Sequence, residues 1–163
     1  MGSTRVNTLR HVLLVVIAAL VFVGDRVSKA VVEARIPEQA TIPVVPHFFN
    51  LIHTRNAGAA FGLFADSPAP WRTFLLIGVS SLLLLMVLVM MWRSRQFRWG
   101  TGVALALIMG GALSNLFDRI RQGRVLDFLD VYWRDYHWPT FNLADSAIVV
   151  GAGWLVLQVL FWE

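Results

Sequence analysis

Four runs of apolar residues, each close to the length that crosses a bilayer, constrain this chain more than any other feature. They cover Val12 to Gly24 (continuing unevenly through Val32), Phe74 to Trp92, Thr101 to Phe117 and Ala147 to Trp162. A span needs about 20 apolar residues. In lipid every backbone N–H and C=O must be bonded inside the segment, so each run is expected as a helix. The pattern predicts transmembrane helices over about 11–31, 71–92, 100–118 and 142–162, within one integral membrane domain covering 1–163. The first run is too long, and its charges come too late, for a cleaved leader; no small-x-small site follows it.

Composition agrees. The chain is 57% hydrophobic, against roughly 45–50% apolar residues in soluble domains. Seven Trp and eleven Phe suit a protein with two membrane interfaces to anchor. Net charge is +4 and almost all arginine, Lys29 being the only lysine. These charges lie between apolar runs rather than on a basic face with stacking aromatics, so no nucleic-acid partner is expected. They read as a topology signal. Arg5 and Arg10 precede the first run, and Arg93, Arg95 and Arg98 join the second to the third, with no acid in either stretch. The positive-inside rule then makes both flanks and both termini cytoplasmic, and sends the long links 33–70 and 118–141 outside. With no cysteine, thiol nucleophiles, disulfides and Cys-held metals are excluded.

The outer links carry strand signals. PHFFNLIHT (46–54), flanked by Pro43 and Pro46, has the β-branched and aromatic content of a short strand. NAGAAFGLF (56–64) follows, and Ser67, Pro68 and Pro70 break the chain before the second helix. RVLDFLDVYW (124–133) alternates as an extended segment does, which places Asp127 on a strand or turn just before the last helix.

The polar residues fall into clusters. Asn142 is a plausible N-cap of the fourth helix, with Asp145 at the third position; alone, Asp145 reads as a dipole-stabilising acid. Asp127, flanked by Leu126, Phe128 and Leu129, offers a second carboxylate on the same side, and two such groups can share a proton and activate a water. Asp130 and Asp135 read as solvated rim charges. Asp25 and Lys29 stand four apart on one helical face, the order that favours an ion pair, and are expected as a structural polar pair. Ser28 and Lys29 are adjacent and do not face each other, which argues against a Ser/Lys dyad. Gly110, Gly111, Ala112 and Ser114 suit close helix packing. Beyond them crowd Asn115, Asp118 and Arg119, the arginine reading equally as a snorkelling side chain or as a holder of a carbonyl or phosphate. Asn56 and Gly58 read as a turn. No H-E-x-x-H or G-x-S-x-G sequence is present, so neither a zinc protease nor a serine elbow is indicated.

Together DRVSK (25–29), RNAGAAF (55–61), GGALSNLFDR (110–119), GRVLDF (123–128) and FNLADS (141–146) resemble the bacterial lipoprotein signal peptidases, the signal peptidase II family, in order and spacing over essentially the whole chain. The resemblance implies a bundle of four transmembrane helices with a small extracytoplasmic β-sheet and a short outer helix in the segment after Asn56. It implies an aspartic endopeptidase of the inner membrane, without metal or other cofactor. The implied substrate is a diacylglyceryl-modified prolipoprotein, cut before its lipidated cysteine by a monomeric enzyme among membrane lipids. The catalytic aspartates fall on Asp127 and Asp145. Substrate-binding or supporting positions fall on Asn56, Gly58, Asn115, Asp118, Arg119 and Asn142, and the structural polar pair on Asp25 and Lys29. Two rivals remain: a small non-catalytic membrane subunit with internally paired charges, and a proton-coupled carrier using Asp25 and Asp145. The absence of an inverted repeat disfavours the carrier.

Overall fold

The computed structural model describes residues 2–58, 69–93 and 98–162. The outer helix expected after Asn56 lies largely outside them. Four helices form the body: α1 (Gly2–Arg35), α2 (Ala69–Arg93), α3 (Trp99–Gln122) and α4 (Leu143–Trp162). All four contain a segment long and apolar enough to cross a membrane. Each helix runs to or past its predicted end, α3 by one turn to Gln122, where Gly123 closes it at φ +68° with its N–H on the Arg119 carbonyl. Glycine takes that left-handed cap without strain. Pro70, expected ahead of α2, instead sits in its first turn. Proline is tolerated there because first-turn N–H groups have no helical partner.

α3 is the central element. Half of its apolar span is buried, against 6–17% for the other three, and it packs on α1, α2 and α4. Small residues make this possible. A Cβ on Gly110 would stand 2.5 Å from the Ala18 carbonyl oxygen of α1, and a Cβ on Gly111 would collide with the Ala144 carbonyl of α4. Gly151 of α4 returns the contact against Ala104 of α3, at 2.6 Å. Leu14, Ala18, Val87, Met91, Leu105 and Ala106 fill the end remote from the sheet. The outward faces stay apolar: Leu20, Leu82, Val149 and Leu160 are each about two-thirds exposed, surface that only lipid accommodates at this density.

At the other end lies a four-stranded antiparallel sheet in the order β1 (Thr41–Val45), β2 (Phe49–Asn56), β3 (Val125–Trp133), β4 (Tyr136–His137). The stretch expected as one strand bounded by prolines is thus half of a hairpin. Pro43 lies inside β1, an edge strand, where its missing N–H costs no ladder bond. Pro46 and His47 (φ +64°) make the turn, closed by the Phe48 N–H on the Val45 carbonyl. Leu126 and Phe128 on one face of β3 pack with Val32 and Ile36 of α1, which seats the sheet on the bundle. Arg55 adds a peripheral tie, pairing with Glu33 at 3.1 Å and with Gln122.

Candidate active site

Period-two geometry places the site. On β3, Val125 and Asp127 face away from Leu126 and Phe128, and opposite them on β2 stand Thr54, in register with Asp127, and Asn56, in register with Val125. Between Leu51 and Thr54 the register slips by one residue. Such bulges re-aim side chains, and here the slip lies beside Asp127. These four residues form the rim of a cleft of about 720 Å³. α2 supplies Ser80, Leu83, Leu84 and Val87 to its walls, α3 supplies Ile108, Ala112, Asn115 and Arg119, and α4 supplies Asp145, Ile148 and Val149. The segment Trp138–Phe141 covers one side, held to β3 by reciprocal bonds between Phe141 and Leu129 at 2.8 and 3.1 Å. The cleft is polar at the sheet and apolar at membrane depth.

Asp127 is 1% exposed. Burial pushes its carboxyl up from 3.8 to about 7, and the nearby charge of Asp145 pushes the same way. Hydrogen bonds from Asn56 and Asn142 and the charge of Lys29 oppose the rise. Asn142 Nδ2 donates to Asp127 Oδ1 at 2.7 Å. The Asn142 side-chain oxygen accepts the Asp145 N–H at 2.9 Å. A backbone N–H can only donate, so the Asn142 amide must turn its NH2 toward Asp127. Asn56 obeys the same logic: its oxygen accepts the Gly58 N–H at 2.9 Å, leaving the NH2 for Asp127.

Asp145 is held by the start of its own helix. Its carboxylate accepts the Asn142 N–H at 3.2 Å, completing a reciprocal cap across Asn142 and Asp145. Its other oxygen accepts from Asn115 Nδ2 at 2.7 Å. Arg119 lines the cleft within the fields of Asp145, Asp127 and Asp118.

Behind Asn115 lies a second polar group that does not line the cleft. Lys29, 1% exposed, meets Asp25 at 2.6 Å and Asp118 at 2.7 Å. Asp118, expected among the supporting residues, faces α1 and also pairs with Arg26. Asp25 accepts the Ser114 hydroxyl at 2.6 Å and the Ala144 N–H, in the first turn of α4, at 2.9 Å. Ser114, read from sequence only as a small packing residue, here donates to Asp25, and Arg26, which follows Asp25, carries no signal of its pairing with Asp118. Thr54 was equally legible, standing two residues before Asn56 on the same strand face. Asp130 corrects the reading of it as a rim charge. It is buried, accepts Asn50 Nδ2 at 2.8 Å across the β2–β3 pair and meets His137 Nδ1 at 2.8 Å. The flanking strands β2 and β4 supply partners, Asn50 and His137, that a single segment of sequence does not reveal. Asp135 is exposed.

Known proteins resemble this chain in sequence and in fold. The family model described as signal peptidase (SPase) II matches residues 17–161. The lipoprotein signal peptidase of Solibacter usitatus is 44% identical over 144 residues, 88% of each chain. That of Desulforapulum autotrophicum is 43% identical over 155 residues, 95% of this chain and 96% of the other. A solved bacterial membrane enzyme, determined by the in meso method at 2.3 Å resolution, superposes with a TM-score of 0.81 at 28% identity, over 91% of this chain and 87% of that one. Four apolar helices, a buried and a half-buried carboxylate at their sheet-bearing end and this likeness over nearly the whole length place the chain in the signal peptidase II family, aspartic-type membrane proteases that remove the signal peptide from lipoprotein precursors.

Proposed function

We propose that Asp127 and Asp145 are the catalytic pair, sharing one proton and activating a water against the scissile peptide bond. The observation that carries this reading is their common setting: two carboxylates on one cleft, bridged by Asn142 and each met by an asparagine amide. With its carboxyl raised to about 7, Asp127 is the member that holds the proton and donates it to the scissile carbonyl. Asp145, which accepts from Asn115 and from the Asn142 N–H at a helix N-terminus, takes a proton from water as general base. The hydroxide adds to the carbonyl carbon. The tetrahedral intermediate then collapses as the proton on Asp145 passes to the leaving amide nitrogen and Asp127 recovers its own. No step requires a metal or other cofactor.

The substrate is a precursor carrying a diacylglyceryl group on the cysteine after the cut. Leu83, Leu84, Ile108, Ile148 and Val149 suit its lipid and the apolar part of the signal peptide, while Arg119 suits a substrate carbonyl or a head-group phosphate. Asn56, held by Gly58, steadies Asp127 from the strand side. The arginines before α1 and between α2 and α3 support cytoplasmic termini and a cleft near the outer face of a bacterial inner membrane, with the enzyme acting as a monomer among its lipids. Cleavage of a diacylglyceryl-modified precursor in detergent micelles tests the assignment. Asp127→Asn and Asp145→Asn are each expected to lose roughly 10²–10⁴-fold in turnover, the range for a positioned acid or base, while remaining folded. Near-normal turnover in either folded variant removes that residue from the pair.

A further inference from the structure

The polar group behind the cleft contains more bonds than a helix tie requires. The Lys29 ammonium has three N–H donors and meets three acceptors: Asp25 Oδ2 at 2.6 Å, Asp118 Oδ2 at 2.7 Å and Asn115 Oδ1 at 3.2 Å. The first is an ion pair within α1, and the second joins α1 to α3. The third falls on the amide whose NH2 is 2.7 Å from Asp145.

We propose that Lys29 is a positioning residue for catalysis: its ammonium holds the Asn115 amide with the oxygen toward α1 and the N–H toward the Asp145 carboxylate. An amide has two faces, and turning it over exchanges acceptor for donor. Turned over, Asn115 would point its NH2 at an ammonium and its oxygen at a carboxylate. Asn142 does not fix the choice alone. Its NH2 has two hydrogens and three acceptors in reach, Asp127 Oδ1 at 2.7 Å, Leu126 O at 3.2 Å and Asn115 Oδ1 at 3.3 Å, and Asn115 is the most distant. A charged donor outweighs a shared neutral one. Without Lys29 the amide is free to follow the protonation of Asp145, turning its oxygen to a protonated carboxyl, and the ionised base loses its preference. The charges around Asp145 are Asp25 and Lys29 from α1, Arg119 from α3 and Asp127 from β3.

The inference rests on the reading of Asp145 as the base. Lys29→Met alone would strand Asp25 without a counter-charge, so the neutral pair Asp25→Asn/Lys29→Met is used; Arg26 still holds Asp118. With this pair, kcat on a diacylglyceryl-modified precursor is expected to fall roughly tenfold to hundredfold, the weight of one hydrogen bond to a charged group. KM is expected to hold, and the limb on which the pair loses its first proton to move to higher pH. In an Asn115→Ala background the same two changes should cost little more, because Lys29 acts through that amide. A folded neutral pair with unchanged kcat and limb, or losses that simply multiply with Asn115→Ala, overturns the proposal. Independently of any variant, nitrogen-15 labelling of asparagine in the wild-type protein follows the Asn115 side-chain N–H resonances. They should keep their hydrogen-bonded shift on both sides of that limb, and an amide that turns over with pH refutes the role of Lys29. Failure of the catalytic pair itself registers separately, as turnover retained by Asp145→Asn.

Discussion

Burial raises the Asp127 carboxyl to about 7, and this has a stability consequence with a definite sign. The folded protein keeps the proton to higher pH than the unfolded chain, where the carboxyl titrates near 3.8. The contribution to stability is therefore complete below about pH 4 and is lost as pH rises toward 7. Thermal melts across that window should show a falling Tm in the wild type and a shallower fall in Asp127→Asn. A slope unaltered by the substitution would exclude Asp127 as its source. Activity should respond to the same group: if Asp127 donates the proton as proposed, kcat/KM should decline as pH passes about 7. Arg55 offers a contrast at this scale. Its bonds to Glu33 and Gln122 are largely exposed, so Arg55→Ala should cost about 1 kcal/mol or less in unfolding measurements.

Helices approach as closely as their smallest residues allow, and the α3–α4 contact sets where Asp145 sits. Gly111 faces the Ala144 carbonyl, one residue before Asp145, and backbone cannot swing aside as a side chain can. Gly111→Ala should displace the first turn of α4 away from Asn115. A misplacement of about 1 Å is enough to cost on the order of 10²-fold in rate, so turnover should drop by about that factor, with a lower Tm. Gly153 lies on the same helix with nothing within 4 Å of its Cβ position. Gly153→Ala should leave turnover intact and raise stability by up to about 1 kcal/mol through helix propensity. Equal effects of the two substitutions would sink the packing argument. At β1 and β2 the same scale explains the hairpin: His47 holds φ +64°, a conformation that local hydrophobic patterning does not signal.

At the scale of the whole molecule, the absence of cysteine makes topology directly testable. Single cysteines at Arg98, between α2 and α3, and at Arg134, between β3 and β4, should react with an impermeant thiol reagent from opposite sides of intact inner-membrane vesicles. Labelling of both from one side would contradict the orientation read from the arginines. Composition and short spacings account for one part of this protein. Four spans follow from hydropathy, because lipid admits only segments that satisfy their own backbone. The cap at Asn142 and Asp145 and the pair at Asp25 and Lys29 follow from residues three and four apart. Which distant groups meet depends instead on how the helices and strands pack. Asp127 comes to Asp145 through Asn142, after β3 pairs with β2 and α4 docks against the glycines of α3. Asp130 leaves solvent for Asn50 and His137, and Asp118 turns from the cleft to α1. Lys29 reaches Asn115, 86 residues away. These contacts depend on how close two backbones can come and on which face a strand presents once its register is set, and neither quantity is local to the stretch of chain that bears the residue.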